Sequence, residues 1–160
     1  MIGYLTTIMT LVSIAVLIAM ALNVQWGMCG MVNFGLSGFV ALGAYTTAIL
    51  MLNGTGVFVA VAAAIVICSV MGALLSLISL RLSDDYLAIV TLGFGEVIRL
   101  ITLNEAWLTG GALGLPGIPR PLVDVIGTDH YEKFYLAVCV LVVLVVFAGL
   151  ELATRAPFGR

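Results

Sequence analysis

Long apolar runs separated by short polar breaks organise this chain, with no alternating or heptad pattern running through them. The first run covers about residues 4–24, and the second about 34–52, ending at the turn Asn53–Gly56. The third, about 57–80, would reach roughly 36 Å as a helix, enough to cross a hydrocarbon core of about 30 Å with tilt. The fourth, about 86–103, is announced by Ser83, Asp84 and Asp85, a cap residue and acids suited to a helix N-terminus. The fifth, about 134–152, is rich in β-branched residues, yet its unbroken length predicts a helix and not a barrel strand. The pattern predicts an all-α, polytopic helical membrane protein with about five transmembrane helices.

Two stretches break this pattern. Residues 25–45 carry Gly27, Gly30, Gly35, Gly38 and Gly43 at what reads as membrane depth. Each weakens a helix by roughly 0.5–1 kcal/mol relative to Ala, and a backbone group freed by a break in lipid costs several kcal/mol unless it is satisfied. Two readings fit. Small residues such as Ser37/Ala41 and Ala44/Ala48 have the spacing for close helix packing. Alternatively, the helix is broken, and freed amides and carbonyls line a polar path beside Asn33 and Ser37. Gln25 and Trp26 suit an interfacial anchor. The second stretch, 104–133, is a glycine- and proline-rich loop that must lie outside the bilayer or be shielded by protein. Its motif Thr109, Gly110, Gly111, Gly114, Pro116 and Gly117 is either a chain of tight turns or a docking surface for something arriving from outside.

Composition removes the soluble alternatives. Hydrophobic residues make up 63% and charged residues 9%, against roughly 45–50% and 25% in an ordinary soluble domain. The first eighty residues hold no Lys, Arg, Asp, Glu or His, so they offer no charged surface to water. The N-terminus lacks the basic region of a cleavable signal, and its apolar run is long enough to span. Cys29, Cys68 and Cys139 read as small packing residues, and His130 has no second metal ligand at suitable spacing. No metal or cofactor is expected. The sole lysine is Lys133, so there is no P-loop and no hydrolysis of nucleotide by this chain alone. Arg81, Arg155 and Arg160 against Arg120 and Lys133 favour an N-terminus outside and a C-terminus inside.

One pair of charges lies within a predicted span. Glu96 and Arg99, three apart, share a helix face and can pair. Glu96 falls roughly 15 Å along the helix from Tyr86, near the midplane. Two unpaired charges there would cost roughly 5–7 kcal/mol, which about ten apolar neighbours would only just offset. The pair is therefore expected to face protein or an aqueous cavity, either bracing this helix or contacting a charged solute.

Three blocks in register carry a resemblance: residues 22–50, "LNVQWGMCGMVNFGLSGFVALGAYTTAIL"; "DDYLAIVTLGFGEVIRL" followed by "LTGGALGLPGIP"; and the terminal "APFGR". Over about residues 18–160 the chain resembles the permeases of branched-chain amino-acid ABC importers, of the LivM type. The resemblance implies one of two related permease subunits in a bacterial inner membrane, beside a LivH-like second subunit. Its further partners would be two cytoplasmic ATP-binding subunits and a periplasmic amino-acid-binding protein, with no nucleic acid. It would place Asn33, Phe34, Gly35, Ser37 and Gly38 near the translocation path. Pro157, Phe158, Gly159 and Arg160 would begin the loop that couples to the ATPases. Members of that family are much longer, so residues 1–160 are expected to be the N-terminal half of such a transmembrane domain. A transporter subunit and not an enzyme is expected; a small scaffold that only packs against a partner is the rival.

Overall fold

A computed structural model of the chain describes residues 2–28, 30, 33–79, 84–121, 123 and 127–155. Every regular element among them is helical, and the chain divides into two compact units, Met1–Met28 with Leu122–Arg160, and Cys29–Pro121. Among the described residues four helices are long and apolar enough to cross a membrane, over Gly3–Gly27, Val57–Ile78, Tyr86–Asn104 and His130–Leu152. Large apolar side chains stand exposed along all of them, as lipid permits and water does not.

In the first unit, α1 (Ile2–Asn23) widens at its end into a single π-helical turn, Val24–Met28. It packs against the last helix, numbered α6 here (Thr128–Arg155). Their first turns meet: the Thr6 hydroxyl lies 3.1 Å from Glu132 Oε2 and 2.7 Å from the Gly3 carbonyl. A Cβ on Gly3 would stand 3.1 Å from the same carboxylate oxygen. The two helices therefore run in the same direction. Further along α1, the hydroxyls of Thr10 and Ser13 bond to carbonyls four residues back, which satisfies them without a partner helix.

The second unit begins with α2 (Leu36–Leu52), followed by α3 (Val57–Ser79) and α4 (Asp84–Asn104). At 17 residues, α2 reaches only about 25 Å, the short limit for a span. Its end is built by Asn53–Thr55. Gly54 takes φ 82°, its amide bonds Met51 O at 3.0 Å, and the Thr55 amide bonds Leu50 O at 3.1 Å. That Schellman closure satisfies the last carbonyls of α2 and reverses the chain. On α3, Cys68 lies against Gly43 and Gly72 against Phe39, so α2 and α3 are antiparallel. On α4, Thr91 and Phe94 stand opposite Gly35, and Gly95 opposite Gly38, so α2 and α4 are parallel. Buried positions on the helices are largely small, with Gly38, Ala48, Ala60 and Ala64 among them, as expected where dispersion and not water expulsion drives association.

The expected spans reappear with two adjustments. The helix expected at about 134–152 starts at Thr128 instead. Hydropathy assigns polar residues 130–133 to loop, whereas a helix readily carries a polar first turn beyond the bilayer. The segment 104–133 is also less loop-like than expected. It contains α5 (Ala106–Thr109) and a 3-10 turn at Gly111–Leu113. Ser83 and Arg81 lie outside the described residues.

Candidate functional site

The glycine-rich break opens ahead of α2, and its amides find side-chain partners. The Gly35 amide donates to Asn33 Oδ1 at 2.8 Å, and the Phe34 amide donates to Thr91 Oγ1 at 3.1 Å. Thr91 is 2% exposed, and its own hydroxyl lies 2.9 Å from Leu87 O and 3.0 Å from Ala88 O. A helix start that would cost several kcal/mol in lipid is thereby satisfied from within the protein. Thr91 carried no signal in the sequence: a threonine in a span ordinarily bonds its own preceding turn.

Gly35 and Gly38 serve the crossing of α2 over α4. A Cβ on Gly35 would lie 2.7 Å from the Thr91 carbonyl, and one on Gly38 would lie 3.0 Å from both Gly95 Cα and Phe94 Cε1. The Phe39 and Phe94 rings complete the contact, 4.9 Å between centroids. Of the pairs read from spacing as packing residues, Ser37 and Ala44 stand exposed while Ala48 is buried. The close approach uses the neighbouring glycines, because only they let the backbones touch.

Beside this crossing lies a recess of about 220 Å³ between α2 and α4. Phe34 lines it from just ahead of α2, Ser37 and Gly38 from α2, and Leu92, Glu96 and Arg99 from α4. Arg99 Nη2 meets Glu96 Oε1 at 2.6 Å and its Nε donates to Oε2 at 2.9 Å, a two-pronged ion pair. The Arg99 and Glu96 side chains are 57% and 52% exposed. Among the described residues the pair closes within α4 and ties it to no other helix. The structure thus gathers Phe34, Ser37, Gly38, Glu96 and Arg99 into one recess, while Asn33 and Gly35 bond to one another outside its lining.

The loop motif forms a separate feature at the end of α4. Thr109 is 2% exposed; its Oγ1 lies 2.8 Å from Thr102 O and 2.9 Å from Glu105 O, and accepts the Gly111 amide at 3.3 Å. Gly110, Gly111, Gly114 and Gly117 all take positive φ, between 62° and 75°, and a Cβ on Gly110 would collide with the Gly114 carbonyl. Pro116 is exposed, while Leu115 and Ile118 flank it and reach Ala44, Tyr45 and Ala48 around a second, apolar cavity of about 210 Å³. Pro157, Phe158, Gly159 and Arg160 lie outside the described residues.

A family model described as the branched-chain amino acid transport system permease component matches residues 4–160. The chain is 36% identical over 177 aligned positions to the high-affinity branched-chain amino acid transport system permease protein LivM of Escherichia coli K12, covering 96% of this chain and 41% of that protein. The LivM protein of Salmonella typhimurium LT2 gives the same identity and coverage. A probable branched-chain amino acid transport permease protein LivM of Methanocaldococcus jannaschii is 26% identical, over 90% of this chain and 51% of its own length. The chain thus spans between two fifths and about half of these curated relatives. No solved structure matches it.

Proposed function

Because this chain belongs to the branched-chain amino acid transport permease family, we propose that it forms part of the translocation path of an importer for leucine, isoleucine, valine or related solutes. In that reading it sits in a bacterial inner membrane beside a second, related permease subunit. Two cytoplasmic ATP-binding subunits supply the energy, a periplasmic binding protein delivers the solute, and the segment from Pro157 to Arg160 leads toward the ATPases. The observation that carries this reading is the half-exposed Glu96–Arg99 pair, which shares a recess with Ser37 near the middle of a span. Each charge costs about 2.5–3.5 kcal/mol on insertion scales at that depth. A recess open to water or solute, on a face turned from lipid, relieves that cost.

The test is Ser37→Leu in the complete transporter, because it fills the recess without replacing Gly35 or Gly38. Assembled complexes are expected to form at normal levels with leucine uptake lowered roughly tenfold or more, as for a misplaced path residue. Normal uptake by assembled Ser37→Leu complexes would sink the proposal. One observation favours the scaffold reading: Gly35 and Gly38 are committed to packing on α4. That reading predicts no effect of Ser37→Leu, with sensitivity confined to the two glycines.

A further inference from the structure

The ion pair in the recess is only partly used by its own two members. Arg99 engages Glu96 through Nη2 and Nε, so the described residues leave Nη1 and the outer lone pairs of the carboxylate available. Phe34 and Ala41 face the pair across the recess, Leu92 adds apolar surface on α4 itself, and Ser37 and Thr102 each bring a hydroxyl. Between residues 86 and 104 the sequence holds no other charge. The recess therefore offers one cation and one anion, side by side on one helix face, next to an aliphatic and aromatic wall.

We propose, on the reading of this recess as part of a solute path, that Glu96 and Arg99 clamp the head of a zwitterionic α-amino acid. Glu96 takes the ammonium, Arg99 takes the carboxylate, and an aliphatic side chain lies against Phe34 and Leu92. The exchange is balanced in charge: one ion pair opens, two form, and no proton moves. The guanidinium fork suits a carboxylate in two-pronged geometry. A solute carrying only an amine would leave Arg99 without its counter-charge, and one carrying only a carboxylate would strand Glu96, so each forgoes one of the two ion pairs. Selectivity for net-neutral, dipolar solutes follows from the pair itself, independently of any soluble binding protein.

Equilibrium binding to the native membrane complex in lipid nanodiscs, free of the soluble binding protein, tests this. The probes are leucine, isocaproate (leucine without its amine) and isoamylamine (leucine without its carboxylate). Leucine is expected to bind roughly tenfold or more tightly than either analogue, the worth of one charge-assisted contact. Glu96→Gln should weaken leucine and narrow its lead over isocaproate, and Arg99→Gln should narrow its lead over isoamylamine. The swapped pair, Glu96→Arg with Arg99→Glu, keeps an ion pair on the helix. It is expected to assemble but not to regain leucine binding, because the head would be held in reverse with its side chain directed off the apolar wall. Equal binding of all three probes to the native complex, unchanged leucine binding in assembled single variants, or recovery of binding by the swap would each overturn the clamp and leave a structural brace. Loss of uptake in Ser37→Leu together with any of those results would retire the clamp and keep the path. Normal uptake in Ser37→Leu would remove the path itself.

Discussion

Asn33 and Thr91 hold the opening of α2 with two bonds, and those bonds fix where the chain leaves the break. Thr91→Val removes the side-chain acceptor of the Phe34 amide while keeping shape, whereas Thr91→Ser keeps the hydroxyl. In membrane proteins such bonds average about 0.6 kcal/mol and reach about 1.7. Thr91→Val is therefore expected to lower the melting temperature of the purified complex, with Thr91→Ser close to the parent. A melting curve unchanged in Thr91→Val would mean that another group satisfies the amide. The glycines can be ranked in the same way. Gly35→Ala would drive a methyl to 2.7 Å from a backbone carbonyl, while a Cβ on Gly93 meets nothing within 4 Å. Overpacking of that kind costs about 1–3 kcal/mol, so Gly35→Ala should reduce the yield of assembled complex and Gly93→Ala should not. Equal yields would show that α2 can shift away from α4. Only the distances to Thr91 and Phe94 separate packing at Gly35 from an unoccupied helix face at Gly93.

The elements differ in how far local chemistry accounts for them. α3 and α4 are set by apolar length, and their bounds lay close to those expected. The Asn53–Gly56 turn was legible because Gly54 occupies the one position of the Schellman closure that needs a left-handed residue. The loop motif was legible as turns but not as a built unit, because its order depends on Thr109 reaching back to Thr102 and Glu105. Gly110→Ala is expected to disrupt that unit, since the left-handed conformation alone costs about 1–2 kcal/mol for an L-residue and the methyl meets the Gly114 carbonyl. Limited proteolysis of intact complexes should then cut within residues 105–121 faster than in the parent, with Ala112→Ser as a control at an exposed position. Identical cleavage rates would show that the turns tolerate the strain.

Across the whole molecule, the open question of topology is whether the short α2 crosses the bilayer. α1 and α6 run parallel, and α2, α3 and α4 alternate in direction. At 17 residues α2 is shorter than the four helices long enough to span, and it is expected to cross together with α3 and α4. Single cysteines at Tyr4, Thr55 and Leu113, in a background with Cys29, Cys68 and Cys139 replaced by serine, are expected to react with an impermeant maleimide from one side of the membrane. A cysteine at Trp26 is expected to react from the other. If Thr55→Cys instead labels with Trp26→Cys, α2 turns back within the membrane and only four helices span.

Hydropathy and helical spacing are properties of neighbours along the chain, so features that depend on them alone are readable without a fold. Those features are a helical membrane protein, the approximate bounds of its apolar helices, a break rich in glycine, and Glu96 with Arg99 on one face. The tertiary structure decided what depends on residues far apart. It chose Gly35 and Gly38 over the Ser37/Ala41 and Ala44/Ala48 pairs for the close crossing, and it brought Thr91 to the Phe34 amide across 57 positions. It also turned the charged pair toward Ser37. Which face of an all-apolar helix meets a neighbour carries almost no signature in hydropathy, because lipid and protein are equally apolar. That choice falls to the fit of one backbone against another.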